Sequence, residues 1–446
     1  MNHKVPLRTA ALVLVLAISP TAFASSLTLH GFIEAAVNNA AAVARAQADL
    51  DTSRARAESA FTVYSPYVAA TASYSRLSEE ELPELTPGFS FPQFLDNYSL
   101  ELSAQFAVSD YLLTRPALYQ IGTGGMKLEQ ARLDAAKERI AMQAAELALK
   151  WTAAKQALNV AKNGASTLEA GVTDIARLRE AGLATQSDEL AIRAQYAAVS
   201  TSVIRAKGRL RTLELQLKQL IGQPKDQPLP MLNLELSGAM LVKTPTLEDA
   251  LAKAIAERPE LRVLRQARTL KSYEIDRYFG ELFPKLGIAG VLTTANPNQR
   301  IFPLVEEYNA TWVVQATLSW SPNDFVIQRS LYKESKEQLK GLDADLKGLG
   351  DAVELELASV LSNLETTTEL CSATKTQELA AQAALKDQQT LFKAGETTSQ
   401  RLLEREQAHR EAALNHIDAL VESTLAQIRL QKSLGGLNSF AQENLK

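Results

Sequence analysis

The sequence predicts a mainly α-helical protein that also carries a transmembrane β-barrel, built from a duplicated helix–strand–strand–helix unit. Three observations lead there. Long alanine-rich stretches with helical periodicity are interrupted, twice, by segments of period two. The two halves of the chain carry the same landmarks in the same order. The apolar side of the period-two segments is bounded by aromatic residues, as in the wall of an outer-membrane barrel.

Residues 1–24 read as a signal peptide. Lys4 and Arg8 open it, Ala10 to Ile18 is an apolar core, and Ala22-Phe23-Ala24 is a small-x-small cleavage site. No cysteine stands near that site, so lipidation on cysteine is not expected. No later stretch reaches the roughly 18 consecutive apolar residues of a membrane-spanning helix. Barrel strands escape such a scan because they alternate.

The first repeat, 25–222, opens with Leu29 to Val37, which resembles Leu247 to Ile255 at the start of the second, 246–436. The same offset of 218 pairs Pro66 with Pro284, each at a helix-to-strand transition. Gly182 and Gly395, at turns between long helices, stand 213 apart, as do Gly222 and Gly435. The shorter offset places extra residues in the first half, and the loop at 77–97 accommodates them most easily. Residues 223–245, with Pro224, Pro228, Pro230 and Pro245, form the connector, and 437–446 a C-terminal tail.

Strands are expected at about 67–76, 98–109, 286–295 and 309–320. In 98–109, Tyr98, Leu100, Leu102, Ala104, Phe106 and Val108 share one face and Ser99, Glu101, Ser103, Gln105 and Ser109 the other. Tyr98 and Phe106 are eight residues apart, as are Trp312 and Trp320. That is about 26 Å at ~3.3 Å per residue, the scale of an aromatic girdle. Four strands are too few for a membrane barrel, whose minimum is about eight. Unpaired edges in hydrocarbon are prohibitive, so copies must pool strands. Two copies would supply eight and three would supply twelve.

From Asp110 to Gly182, and from Asp324 to Gly395, the pattern is helical. Gly164, Gly171, Gly341, Gly348 and Gly350 are expected to break or bend these rods. Gly122-Thr123-Gly124-Gly125 reads as a flexible junction between barrel and helices. Leu210, Leu213, Leu217 and Leu220 have coiled-coil spacing.

With these residues in place, the sequence resembles the TolC-like outer-membrane efflux channel family. The resemblance spans nearly all of the chain after the signal. It rests on the repeated helix start, the Pro66 and Pro284 transitions, Phe106-Ala107-Val108-Ser109-Asp110, and the Ala-Gly-x-x-Thr tips at 181–185 and 394–398. It implies a homotrimer whose twelve strands form one outer-membrane barrel continuous with a long α-helical periplasmic tunnel. It implies docking to a periplasmic adaptor (membrane fusion) protein at the Gly182 and Gly395 turns, an inner-membrane pump, contact with outer-membrane lipid, and no cofactor. It also places a periplasmic gate at the tip, with candidates Ser187, Asp188, Phe392, Thr397, Arg401 and Glu404. Arg401 stands where the best-known members carry an acid, and Thr397 where they carry arginine.

Composition excludes other classes. Lys+Arg is 47 against Asp+Glu 51, a net charge of −4 that argues against nucleic acid. One cysteine, Cys371, and four histidines give no metal-ligand or nucleophile–base constellation. His409 and His416 and the lone Cys371 read as packing or surface groups, so an enzyme is not expected. The alternative function is a periplasmic coiled-coil adaptor or scaffold without a membrane barrel.

Overall fold

A computed structural model describes residues 28–80, 93–229 and 244–436. The signal segment, the C-terminal tail, the middle of the connector and part of the acidic loop after Ser78 lie outside the described residues.

Each half presents two short helices, two strands and two long helices. In the first these are α1 (Leu29–Asn39), α2 (Ala41–Ala60), β1 (Tyr67–Arg76), β2 (Asp96–Ala107), the single turn α3 (Val108–Leu113), α4 (Arg115–Glu180) and α5 (Gln186–Leu220). In the second they are α6 (Leu247–Glu257), α7 (Pro259–Gly280), β3 (Lys285–Asn296), β4 (Asn309–Ser319), α8 (Pro322–Lys393) and α9 (Ser399–Ser433). Pro66 and Pro284 immediately precede β1 and β3. Proline lacks the donor that a continuing helix needs, and its fixed φ suits strand entry.

The halves also close alike. Asn39 Nδ2, just after α1 begins its last turn, donates to the Leu220 carbonyl at 3.3 Å. Arg258, just after α6, donates through Nε to the Ser433 carbonyl at 2.6 Å. Each contact satisfies an orphan carbonyl at the end of a return helix. Arg258 is only 6% exposed. Its guanidinium also grips Glu356 of α8 at 2.8 Å, and Ser433 Oγ donates to that carboxylate.

α4 and α8 run 66 and 72 residues. At ~1.5 Å per residue each is about 100 Å long. Both are continuous, which corrects the expectation of breaks at their glycines. A Cβ on Gly164 would lie 2.6 Å from Glu406 Oε1, and Gly171 faces Leu402 and Ile192. These glycines let α9 and α5 approach α4 closely. The Gly122–Gly125 junction is corrected in the same way. It lies inside α4, where a Cβ on Gly122 would meet that of Ala60 at 2.5 Å. Close helix packing outweighs the roughly 1 kcal/mol that each helical glycine costs.

The helices share three apolar clusters. The largest joins Phe32 and Ile33 of α1, Leu50 of α2, Leu149 of α4, Leu217 of α5 and Ile428 of α9. The second joins Ala254 of α6, Leu261 of α7, Leu357 and Leu364 of α8 and Leu430 of α9. The third, at the far end of the long helices, holds Ile175, Ile192, Leu385, Phe392 and Leu402.

The strands form one antiparallel sheet in the order β1-β2-β3-β4. The second expected strand stops two residues early. β2 ends at Ala107, and Val108 and Ser109 begin α3, where Asp110 stands in the first turn. Ser109 then donates no strand bond. Its hydroxyl instead accepts from the Leu286 amide at 2.9 Å.

Candidate functional site: an uncovered sheet face and a cross-linked tip

Register decides what each sheet face carries, because residues directly opposite on neighbouring strands share a side. One row holds Ala70, Leu102, Leu292 and Trp312, and another holds Val68, Ala104, Gly290 and Val314. Rows between them carry Thr71, Glu101, Thr293 and Thr311, or Ser73 and Ser99. One face is therefore mainly apolar and the other mainly polar, although the row of Ala69, Ser103, Val291 and Val313 places apolar residues on the polar side. No helix covers the apolar face among the described residues. Trp312 is 74% exposed, Leu318 70%, Val314 65% and Leu100 55%. A single chain leaves in the open what a soluble sheet would bury.

Tyr74, Tyr98 and Tyr308 cluster at one end of the band, with ring centroids 5.0 Å apart for the first pair and 6.4 Å for the second. Arg76 and Asp96 pair at 3.3 Å beyond them, so charge resumes where the aromatics stop. At the other end Phe106 packs on Tyr111 and Trp320 on Phe325. Trp320 lies just past β4, and Trp312 stands on the Leu102 row rather than that of Tyr98. The aromatic ring that meets Tyr98 from the β3–β4 side is that of Tyr308, just before β4, which sequence spacing alone did not reveal.

Among the described residues the outer sides of β1 and β4 have no strand partner. Their unpaired N–H and C=O groups seek another edge.

The opposite end of the molecule is the tip, where α4 turns into α5 and α8 into α9. Gly182 and Gly395 both have φ of +77°, a conformation in which a side chain would clash. The Leu183 amide returns to the Leu178 carbonyl at 2.8 Å, and that of Glu396 to Leu391 at 2.9 Å. Both helices thus end in the same wrapped turn.

Thr185 caps α5 in a reciprocal box. Its Oγ1 accepts from the Asp188 amide at 3.2 Å, while Asp188 Oδ2 accepts from the Thr185 amide at 3.1 Å. The other Asp188 oxygen accepts from Ser399 Oγ at 2.7 Å, tying the two tip turns together. The hydrogen bonds from Thr185, then Ser399, hold the Asp188 carboxyl below its usual range. Phe392 is buried in the tip cluster, 2% exposed. Thr397 accepts from Gln388 Nε2 at 2.5 Å. Arg401, Glu404 and Ser187 are exposed. Glu404 accepts from Gln400 at 3.1 Å rather than pairing with Arg401.

The structure therefore separates the tip candidates. Asp188 is committed to capping and to Ser399, and Phe392 to packing, while Ser187, Arg401 and Glu404 present themselves outward. Sequence reasoning missed Ser399 and Glu189. The Glu189 carboxylate is buried and accepts from Arg179 at 2.8 Å and Arg193 at 2.6 Å, bracing α5 against the end of α4. A carboxylate one helical turn before Arg193 signals half of that clamp; Arg179 is joined to it only through the turn.

No protein-family model and no curated protein matches the chain. Solved structures do. The outer membrane protein VceC of Vibrio cholerae is 15% identical over 92% of this chain and 96% of its own, with a TM-score of 0.75. The open-state MtrE outer membrane channel of Neisseria gonorrhoeae is 18% identical, covering 92% and 89%, at 0.76. The Campylobacter jejuni CmeC outer membrane channel is 15% identical, covering 100% and 98%, at 0.74. The chain has the TolC-like channel fold. The likeness covers sheet and long helices together. Among the described residues no helix is long and apolar enough to cross a membrane.

Proposed function

We propose that this protein is a subunit of an outer-membrane channel. Three copies join β1 to β4 of the next and close a twelve-stranded barrel with the apolar face in lipid and the polar face toward water. The observation that carries the reading is the uncovered apolar face between two open edges. A scaffold has no use for it, and hydrocarbon tolerates no unpaired edge. The long helices of three copies form the periplasmic tunnel. Its tip, at the Gly182 and Gly395 turns, meets a periplasmic adaptor protein, and the channel conducts what an inner-membrane pump delivers, in efflux or type I secretion. The signal peptide, cleaved after Ala24, sends the chain there.

At the tip, threefold symmetry repeats each inward charge three times around one axis. Arg401 and Glu404, unpaired with each other and exposed, are the gate candidates, with Ser187 beside them. Asp188, Phe392 and Thr397 hold the turns that position them. Arg401→Ala is expected to raise single-channel conductance in a planar bilayer, and unchanged conductance removes Arg401 from the gate.

The test of the whole reading is the detergent-corrected mass of protein extracted from outer membranes, by light scattering after size exclusion. A particle of three chains supports the shared barrel. A water-soluble single chain from the periplasm returns the scaffold reading.

A further inference from the structure

The connection between β3 and β4 does not continue outward from the sheet. Pro297 and Asn298 are buried, Asn298 to 3% exposure, although they belong to a loop. Asn298 Nδ2 donates to the Asn309 carbonyl at 2.8 Å and reaches Thr311 Oγ1 at 3.3 Å. Its Oδ1 accepts from the Arg300 amide at 3.0 Å, fixing the turn. Thr311 lies on the row of Thr71, Glu101 and Thr293. The loop has folded back over the polar face, inside the end of the strands.

Residues 297–300 and the polar-face side chains Ser73, Ser99, Glu101 and Thr293 enclose a cavity of about 390 Å³. A neighbouring cavity runs on from Pro297 and Gln299 to Leu77, Leu95 and Asn97 of the β1–β2 side. The segment thus crosses the polar face toward the far strands. Arg300 is exposed at its edge and has no ion-pair partner among the described residues.

We propose that residues 297–300 form a strap that narrows the outer mouth of the barrel, and that it holds Arg300 in the path of solutes leaving it. This rests on the channel reading, which makes the polar face the lumen. Three straps around one axis then set the size of solute that passes, and three guanidiniums bias the mouth against cations. Asn298 is the positioning residue, since its side chain ties the strap to Asn309 and Thr311 and fixes the turn at Arg300.

The test uses the full chain carrying Cys371→Ser and either Arg300→Cys or Phe302→Cys, purified from outer membranes. Phe302 is 84% exposed on the same connection and serves as the reference. Each variant is treated with a small maleimide and with a large polyethylene-glycol maleimide. The thiol at 302 is expected to react readily with both. The thiol at 300 is expected to react with the small reagent and an order of magnitude more slowly with the large one. Adding Asn298→Ala is expected to abolish that discrimination. Equal size dependence at 300 and 302 in a three-chain particle overturns the strap and leaves the channel standing. Discrimination at 300 that survives Asn298→Ala removes Asn298 as its anchor and overturns the proposed geometry. A one-chain particle overturns the channel reading, and the strap with it.

Discussion

α4 and α8 have nearly the same length and the same place in their halves, yet they live in different surroundings. α4 is packed by α1, α2, α5, α7 and α9. Ala141, Ala144, Ala145, Ala148 and Leu149 on it have no exposure. Alanine lets several helices crowd one axis. α8 is packed chiefly by α9 and α7. It buries one seam, Leu357, Leu364, Cys371, Leu385 and Phe392, each seven residues from the last or fourteen where Glu378 intervenes. Burial pushes the Cys371 thiol up, as befits a packing group. Away from that seam Leu355 is 73% exposed, Leu379 57% and Leu370 49%. α4 is enclosed within the chain, whereas α8 leaves one side uncovered. The uncovered sheet face makes the same point at the other end of the molecule.

The contrast can be broken at its largest by charging the exposed line of α8. The double variant Leu355→Glu, Leu379→Glu is expected to shift the extracted particle from three chains toward one, read by light scattering, with each chain still helical by circular dichroism. A particle still of three chains would show that this line is not a subunit contact.

Next in size, Leu149→Ala in α4 removes a fully buried side chain and is expected to cost about 2–5 kcal/mol by cavity formation. Within the dissociated chain, Leu355→Ala is expected to cost less than about 0.5 kcal/mol. Denaturant titration of the two variants compares them, and equal losses would erase the distinction between the helices.

A third prediction concerns a buried acid of α4 for which α8 has no counterpart. Glu138 is 4% exposed, and neither carboxylate oxygen has a hydrogen-bond partner. Burial, then nearby Glu260, raises its pKa to about 7, against the attraction of Lys432, Arg258 and Arg262. The folded chain thus holds a proton that the unfolded chain releases near pH 4. Stability from this group falls as pH rises between the two values and levels off above about 7. The span corresponds to about 3 kcal/mol. Glu138→Gln is expected to flatten the slope and to exceed wild type at pH 8, in melting curves from pH 4 to 8. An unchanged slope would refute the assignment.

The smallest effect is at the tip. Thr185→Ala removes the α5 cap and is expected to cost about 1 kcal/mol. Asp188 acts with it, and its lowered pKa gives the opposite pH sense from Glu138. Its contribution is complete above the unfolded value and is lost as pH falls through the folded one. The loss caused by Thr185→Ala should therefore shrink on acidification, in the same melting curves.

Much of this architecture was legible because its signals are local. Alternation marked the strands, since one side of each is mainly apolar and the other mainly polar. Prolines marked the helix-to-strand transitions. Gly182 and Gly395 marked the tip because only the wrapped turn needs their φ. What was illegible depends on partners far along the chain. Gly164 reads as a helix breaker until Glu406 is seen against it, and Gly122 as a flexible junction until Ala60 is. Val108 and Ser109 keep the period of the strand, and only the packing of α3 turns them into helix. At the tip, the tie between Asp188 and Ser399 could not be read, because Ser399 lies on another hairpin. The seam of α8 has an unbroken seven-residue rhythm, but cysteine and glutamate occupy two of its positions and hide it from a search for leucine.

The two open sheet edges have a consequence for how such a wall comes into being. If three copies close the proposed barrel, a chain arriving alone at the membrane has no partner for β1 or β4, and insertion waits upon association. Assembly then depends steeply on the local concentration of newly exported chains. A subunit with one spoiled edge does not merely fail. It enters a nascent ring, blocks closure, and takes two sound subunits out of use, so that a minority of defective chains disables a majority of assemblies.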